Sequence, residues 1–398
     1  MSNKKHIVYL GYPYFPWGYA EVQKIILISK CLVLTGNTVT VIGNRGVLSP
    51  KDAPYVKPEG EFEGIKYIYT SGDPFKKASF IKRNLDKVKG FVNEIRLLRK
   101  LKKANQLDFA VLSTHRFHFV LHYTILSKII GFKTILNYVE YYSDLKKSFA
   151  ETGTWINDQL FDKYAPKMSD GIFPISEFII NHIKKVSPQK KYLKIPGLTD
   201  YQRFDGIETI QGDKYFLYCG NANYKEVALF LIDAFNALTD NSSYLYLVIN
   251  GGGDNMNEIK QHVNNSPKKE KIVMLSKLSD KELNTYYKNA IALLIPLRDT
   301  FQDIARFPHK IGEYFASGNP IISTNYGEVK FYFKDMQDLL LAESYDVNLY
   351  ADKMQFVLDN PELVKQIGIT GKQTAAPIFD YRIKAADLNN FLDTEFKK

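Results

Sequence analysis

The sequence predicts an α/β protein with two doubly wound, Rossmann-like domains that face each other across a cleft. Strand and helix patterns alternate from residue 6 to residue 185, a segment at 193–212 lacks periodicity, and the alternation then starts again. Strands joined by helical crossovers indicate a parallel sheet with helices on both faces. At 398 residues the chain is long enough for two such domains.

The first predicted domain spans residues 1–198 and begins with the apolar strand HIVYLG. Gly36 and Gly131 end two of its helices, and Ser176 is a suitable N-cap because its hydroxyl can accept from free N–H groups. The predicted strands are 6–11, 37–42, 65–69, 109–113, 133–138 and 171–175, and the predicted helices are 21–34, 118–130, 154–164 and 177–185.

The stretch KIPGLTDYQRFDG suits an interdomain linker, and the second domain is predicted at 199–379. A C-terminal helix within 380–398 is expected to pack back on the first domain. The predicted strands of the second domain are 216–219, 244–250, 272–275, 292–295 and 321–323, and its predicted helices are 225–238, 258–263, 280–288, 308–317, 347–358 and 361–371, followed by 381–396.

Residues 298–327, RDTFQDIARFPHKIGEYFASGNPIISTNYG, combine a polar loop with a helix and a buried strand. Pro308 suits the first turn of the helix, Gly318 suits its C-terminal cap, and Pro320 prevents its continuation. The free N–H groups at such a helix start can hold an anion. Glu313 then lies on the helix where a sugar hydroxyl could reach it.

The net charge of +10 is concentrated in residues 75–105, which hold eleven basic and two acidic residues with apolar residues at helical spacing. Such a basic amphipathic helix can bind an anionic membrane surface, although an ordinary solvated helix face is an equal alternative. No nucleic acid partner is expected, because no recognised nucleic-acid-binding module is visible. No apolar stretch reaches 18 residues, so we expect a cytoplasmic protein with optional peripheral binding at the inner face of the plasma membrane.

Several loops that follow strands carry polar or glycine residues that could serve chemistry, since ligands of open α/β sheets bind beyond the carboxyl ends of the strands. His115 and Glu140 follow two strands of the first domain, and Lys225 begins a helix of the second. A plain structural role is an equal or more common alternative for the histidine and the glutamate. A lysine at a helix start opposes the helix dipole, and a bound diphosphate would reverse that cost.

Together these stretches resemble the retaining glycosyltransferases of family four, the glycosyl transferases group 1, which have the GT-B architecture. The similarity is strongest in IPGLTDYQRF, YCGNANYKEVALFLIDAF, LVINGGG, VMLSKLSDKELNTYYKNAIALLIPL and, most specifically, FPHKIGEYFASGNPIIST. The resemblance implies a nucleotide-sugar donor, UDP- or GDP-linked, held by the second domain. It implies a saccharide or lipid-linked saccharide acceptor in polysaccharide or glycolipid synthesis, such as capsule, O-antigen or exopolysaccharide.

By the same resemblance, Glu313 would bind the ribose hydroxyls, Lys225 the diphosphate, and His115 would lie near the transferred sugar. Residues 299–307 would line the donor sugar, Lys277 and Leu278 would flank the base, and Gly18 would approach the phosphates. The other donor-side candidates are Asn221, Gly251, Arg298, Asp303, Arg306, Phe307 and Lys310, and the acceptor-side candidates are Tyr19 and Glu140.

The sequence departs from the family pattern at two positions. Ala305 stands where the family often has a glutamate, for which Asp303 or Gln302 could substitute, and Asn221 replaces a usual arginine. Two alternatives therefore stay open, a nucleotide-sugar 2-epimerase of the same fold and a non-catalytic nucleotide-sugar-binding protein. Retaining transfer needs no protein nucleophile, and we expect neither a metal nor a cofactor.

Overall fold

A computed structural model of the chain describes residues 4–18, 20–143, 152–210 and 212–396. The chain divides into two compact units. Unit one comprises Met1–Leu198 and Tyr381–Lys398, and unit two comprises Thr199–Asp380. Tyr19, a predicted acceptor-side residue, lies outside the described residues.

Unit one contains an eight-stranded sheet in the order β3-β4-β2-β1-β5-β6-β7-β8. The neighbouring strands are parallel except for the pair β3 and β4. The strands are β1 His6–Leu10, β2 Thr38–Gly43, β3 Glu59–Phe62, β4 Ile65–Tyr69, β5 Phe109–Leu112, β6 Lys133–Tyr138, β7 Gly171–Pro174 and β8 Lys191–Tyr192. The helices before the chain enters unit two are α1 Ala20–Leu34, α2 Phe80–Lys103, α3 Phe117–Ile130, α4 Thr152–Met168 and α5 Glu177–Val186.

Unit two contains a fully parallel sheet in the order β11-β10-β9-β12-β13-β14. Its strands are β9 Tyr215–Asn221, β10 Tyr244–Asn250, β11 Ile272–Leu275, β12 Ala292–Ile295, β13 Ile321–Thr324 and β14 Leu340–Ala342. Its helices are α6 Lys225–Asn236, α7 Asp254–Asn265, α8 Asp280–Asn289, α9 Phe301–Ala305, α10 His309–Ser317, α11 Gly327–Tyr332, α12 Val347–Asp359 and α13 Pro361–Phe379. This strand order is that of a dinucleotide-binding Rossmann sheet.

The last helix, α14 Tyr381–Glu395, returns to unit one and packs against α1. Leu388, Phe391 and Leu392 of α14 join the hydrophobic core that α1 and the sheet form. The Cys31 thiol also donates to the Tyr381 carbonyl oxygen over 3.0 Å. The C-terminal helix therefore completes the core of the first unit.

The structure corrects several local predictions around residues 298–327. Helix α10 begins at His309, and Pro308 is its N-cap residue with ψ near 123°, outside the helix. The preceding segment, predicted as a loop, contains the short helix α9, which Thr300 caps by accepting from the Asp303 N–H. The elements β3, β8, β14 and α11 are also absent from the prediction, because each has six residues or fewer and little periodicity.

Helix α2 matches the predicted basic amphipathic segment, but much of its apolar face is exposed. Only Gly90, Glu94 and Leu98 are buried, whereas Phe80 and Ile81 are each 70% exposed. Gly90 sits so close to the loop after β2 that an added Cβ would lie 1.8 Å from the Asn44 carbonyl oxygen. Within the described parts of the chain, no helix is long and apolar enough to cross a membrane.

Candidate active site

The strand order of unit two reverses direction between β9 and β12, so the loops after these strands diverge. In doubly wound sheets this point leaves a crevice that binds ligands. The loop after β9 begins at Asn221, whose side-chain oxygen accepts from the Asn223 N–H over 3.0 Å. One 3-10 turn, Ala222–Tyr224, then leads directly into α6 at Lys225. We call residues 221–225 the β9 loop.

The loops after β10 and β11 lie beside the β9 loop. Gly251 has a φ of +114°, and an added Cβ would lie 3.2 Å from the Cβ of Ala222. The Lys277 N–H donates to the Asn250 side-chain oxygen over 2.9 Å, with Lys277 itself in the left-handed region at φ 56°. Leu278 follows and is half-buried. The structure thus brings the predicted residues Asn221, Gly251, Lys277 and Leu278 to one edge of the sheet.

Asp303 holds two arginines against the same edge. Its buried carboxylate, 2% exposed, accepts from Arg298 Nε at 2.8 Å and from an Arg306 guanidinium nitrogen at 2.6 Å. Burial would raise the pKa of Asp303, but the hydrogen bonds from Arg298 and the charge of Arg306 hold it below its usual value. Arg306 also reaches Tyr224 in the β9 loop, donating to its hydroxyl over 3.0 Å. The Asp303 carboxylate is therefore already bound by both guanidinium groups.

Glu313 on α10 lies at the centre of a polar cluster. One carboxylate oxygen accepts from Arg203 over 2.9 Å and the other from the Tyr287 hydroxyl over 3.4 Å. Burial would raise the pKa of Glu313, but the charges of Arg203, Lys310 and His309 outweigh it and keep the pKa below its usual value. An ionised carboxylate has about four acceptor positions, so Glu313 has capacity for further hydroxyl donors.

Lys310 connects α10 to the end of β9. Its ammonium donates to the Cys219 sulfur over 3.1 Å, and the Cys219 N–H donates to the Tyr314 hydroxyl over 3.0 Å. Burial would lower the pKa of Lys310, but Cys219 and Glu313 outweigh it, so the pKa is raised and the ammonium stays charged.

Lys225, at the start of α6, has a partner that the sequence did not indicate. Its ammonium contacts a carboxylate oxygen of Glu258 over 2.6 Å, and this hydrogen bond raises the pKa of Lys225. Glu258 therefore reduces the cost of a cation at a helix N-terminus. A diphosphate at this position would compete with Glu258 for the lysine.

Phe307, in the segment predicted to line the donor sugar, has a buried ring. It stacks on Tyr332 with centroids 5.6 Å apart and meets Phe379 edge to face at 5.1 Å. In this structure its ring supports the packing of the loop before α10.

Three of the predicted residues that the structure describes lie in unit one. His115 follows β5, is exposed, and has its ring 5.6 Å from that of Tyr142. Gly18 packs closely against α1, because an added Cβ would lie 2.6 Å from a methyl group of Val22. Glu140 follows β6 and is half-buried. Their contacts to a donor or an acceptor stay predictions.

No pattern in the sequence assigns Arg203, Tyr287, Tyr224 or Glu258 to this site. Arg203 lies in the 3-10 helix Tyr201–Phe204, 110 positions before Glu313. Only the position of Arg203 close to the aromatic residues Tyr201 and Phe204 could have indicated a covered partner. Within the described residues, no group of three or more His, Cys, Asp or Glu side chains is arranged to hold a metal ion.

One family of known proteins matches a range within unit two. A model of the family described as Glycosyl transferases group 1 matches residues 201–374. The chain has no match among curated proteins.

Three solved structures share the fold over nearly the whole chain. Sucrose-phosphate synthase from Thermosynechococcus elongatus has a TM-score of 0.73 at 14% identity, covering 97% of this chain and 98% of that one. A glycosyltransferase from Rickettsia africae has a TM-score of 0.72 at 15% identity and full coverage of both chains. Anabaena HepE in complex with UDP has a TM-score of 0.68 at 11% identity, covering 98% and 100%, and it was also solved with UDP-glucose.

The fold of the chain is therefore the GT-B fold that these solved structures share. Residues 201–374 match the glycosyl transferases group 1 model, in agreement with the resemblance found in the sequence.

Proposed function

We propose that this protein transfers a sugar from a nucleotide-sugar donor to a hydroxyl acceptor with retention of anomeric configuration. The observation that carries the proposal is the convergence of four cations on the β9 loop and its neighbours. Arg306 contacts Tyr224, Lys310 contacts Cys219, Lys225 ends the loop, and Arg298 lies 3.9 Å from Glu226. These charges suit a diphosphate leaving group.

In the proposed reaction, the bond between the anomeric carbon and the diphosphate breaks while the acceptor oxygen bonds to the same face. The leaving diphosphate oxygen takes the acceptor proton, so the protein supplies positioning and charge neutralisation. Lys225, Arg298, Arg306 and Lys310 would neutralise the diphosphate. We assign the ribose hydroxyls to Glu313, which has free acceptor capacity beside Arg203 and Tyr287.

The base would lie against Lys277 and Leu278, with the β9 loop and Gly251 close to the ribose and phosphates. Gly18 and His115 of unit one are proposed to approach the phosphates and the transferred sugar. Ala305 is buried and supplies no carboxylate, and the Asp303 carboxylate is bound by two arginines. We therefore propose that other groups of this loop hold the donor sugar.

We further propose that the acceptor is a saccharide or a lipid-linked saccharide of a surface polysaccharide or glycolipid pathway. The support is the family resemblance and the basic, partly apolar surface of α2. With this acceptor we propose a cytoplasmic location and peripheral binding at the inner face of the plasma membrane. We also propose that Tyr19 and Glu140 contact the acceptor.

A donor screen tests the reaction. Purified protein is incubated with UDP- and GDP-sugars, with and without saccharide acceptors, and products are assigned by proton NMR. We expect an acceptor-dependent glycoside with the anomeric configuration of the donor. An inverted product would refute retention, an epimer formed without acceptor would support the 2-epimerase alternative, and donor binding without turnover across the panel would support the non-catalytic one.

A further inference from the structure

Unit one contains a cationic pocket at the carboxyl edge of its sheet. The pocket has a volume of about 360 Å³ and lies between the loops after β1, β2 and β4 and the start of α2. Five basic side chains line it against the single carboxylate of Asp86, and these are Arg45, Lys76, Lys77, Arg83 and Lys87. The carboxyl edge is where open α/β sheets bind ligands.

The two main walls of this pocket are fixed to each other. The N–H groups of Val47 and Leu48 donate to the Pro74 carbonyl oxygen over 2.9 and 3.0 Å, and the Lys76 N–H donates to the Leu48 carbonyl oxygen over 3.0 Å. An added Cβ on Gly46 would lie 2.2 Å from the Phe75 carbonyl oxygen. The backbone therefore holds the basic side chains close together before any ligand arrives.

This concentration of positive charge is only partly compensated. Lys77 pairs with Asp73, while Arg83 and Lys87 donate to the uncharged oxygens of Ala78 and Asn84. The Nε atom of Arg45 is buried and makes no hydrogen bond in the described structure. Clustered like charges repel, so the pocket favours a compact polyanion such as a phosphate.

An apolar groove of about 310 Å³ adjoins this pocket and shares Arg45 and Lys87 with it. Its other lining residues are Asn44, Val88, Phe91, Val92 and Phe119. Leu85 and Ile81, one and two turns before Val88 on the same face of α2, are strongly exposed. The cationic pocket therefore adjoins both an apolar groove and an exposed apolar face of α2.

We propose that these two adjoining cavities bind a phosphate carried on a hydrophobic chain. The phosphate occupies the cationic pocket and the first carbons of the chain occupy the groove, with the remaining chain leaving along α2. This ligand class fits better than a soluble sugar phosphate, because a sugar phosphate would leave the apolar groove empty. That the bound lipid phosphate is the glycosyl acceptor rests on the proposed function.

Isothermal titration of the full chain tests the site with three probes, octyl phosphate below its micelle concentration, inorganic phosphate and octyl glucoside. We expect octyl phosphate to bind about tenfold or more tightly than either other probe, because it alone fills both cavities. Lys76→Ala with Lys77→Ala should weaken both phosphates, whereas Val88→Ser with Val92→Ser should weaken octyl phosphate alone.

Matched control variants lie outside both cavities. Arg99→Gln with Lys100→Gln on α2 removes the same charge as the pocket variant, and Ile129→Ser on α3 removes a strongly exposed apolar side chain, so neither should change octyl phosphate binding. Equal affinity for octyl phosphate and inorganic phosphate, or for octyl phosphate and octyl glucoside, would overturn the proposal. Nucleotide titration of the same samples tests the proposed function separately, because that site lies in unit two.

Discussion

At the scale of single residues, the pair of Arg203 and Glu313 defines the chemistry of the site in unit two. Both side chains are largely covered, at 23% and 21% exposed, and their charged atoms are 2.9 Å apart. The charge of Arg203 helps to keep Glu313 ionised, and an ionised carboxylate can accept from further hydroxyl groups. Losing Arg203 would therefore affect both stability and ligand binding.

We expect Arg203→Met to lower the free energy of unfolding by about 1–3 kcal/mol near neutral pH, since a covered carboxylate loses its nearest cation. The folded pKa of Glu313 lies below its ordinary value, so its stabilising contribution is present above the unfolded pKa and is lost as pH falls through the folded pKa. The difference between variant and wild type should shrink on acidification.

Urea unfolding across a pH series measures this difference. Arg203→Lys, which keeps a cation, should recover part of the loss. A loss that is the same at every pH would mean that Arg203 acts through packing and does not stabilise the ionised carboxylate.

At the scale of elements, the loop after β10 shows how backbone conformation builds the site. Gly251 has a positive φ and lies against Ala222. At Gly252 the φ is not in the left-handed region, and an added Cβ would meet no atom within 4 Å. These adjacent glycines separate the effect of the conformation from the effect of an added methyl group.

Gly251→Ala is expected to lower the free energy of unfolding by about 1–3 kcal/mol and to weaken nucleotide binding, because it forces a strained backbone or moves the β9 loop. Gly252→Ala should stay within about 0.5 kcal/mol of wild type. Thermal unfolding with and without UDP and GDP measures both effects, and equal behaviour of the two variants would contradict this account of the loop.

Helix α2 is anchored to unit one through a buried carboxyl group. Burial raises the pKa of Glu94 to about 7, although hydrogen bonds from Asn44 and Tyr123 limit the rise. Because the folded pKa lies above the unfolded one, the contribution of Glu94 to stability is full below the unfolded pKa and is lost as pH rises through the folded pKa.

Glu94→Gln should therefore stabilise unit one above neutral pH, by roughly 1–3 kcal/mol, and should flatten its loss of stability between about pH 5 and pH 8. Glu59→Gln, on the exposed strand β3, is the control and should change neither. Chemical unfolding across this pH range provides the measurement. A Glu94→Gln variant that keeps the slope of wild type would show that another group titrates here.

Much of this fold could be predicted from the sequence, and the reasons for the failures are physical. Long periodic segments such as α1 and α2 were predicted because a buried or amphipathic face leaves a regular pattern. Helix α9 was missed because five residues give no period, and Pro308 was placed one residue too far into α10 because proline suits both positions.

The loops of the candidate site could be predicted, since glycines and polar residues follow strands that end at one edge. The partners within the site could not. Arg203 contacts Glu313, and Lys225 contacts Glu258, through tertiary packing between segments that are distant in the sequence. No spacing in the sequence predicts these two contacts. The exposed apolar face of α2 was likewise invisible, because periodicity does not show which part of a stripe has a neighbour.

At the scale of the whole molecule, the chain forms unit one, completes unit two, and returns to finish the first core with α14. In the described residues, each unit carries a cluster of cations at the carboxyl edge of its own sheet. In our account the cluster of unit two serves the nucleotide sugar, and the cluster of unit one serves the phosphate of a hydrophobic ligand. Nucleotide binding should therefore depend on basic residues of unit two.

The central claim is that the β9 loop and its neighbours bind a nucleotide diphosphate, and calorimetric titration with UDP and GDP tests it most directly. We predict that at least one of them binds wild type, that Lys225→Ala weakens it by about tenfold or more, and that Lys281→Ala on the exposed side of α8 leaves it unchanged. Failure of both nucleotides to bind wild type, or equal affinity of wild type and Lys225→Ala, would contradict the claim.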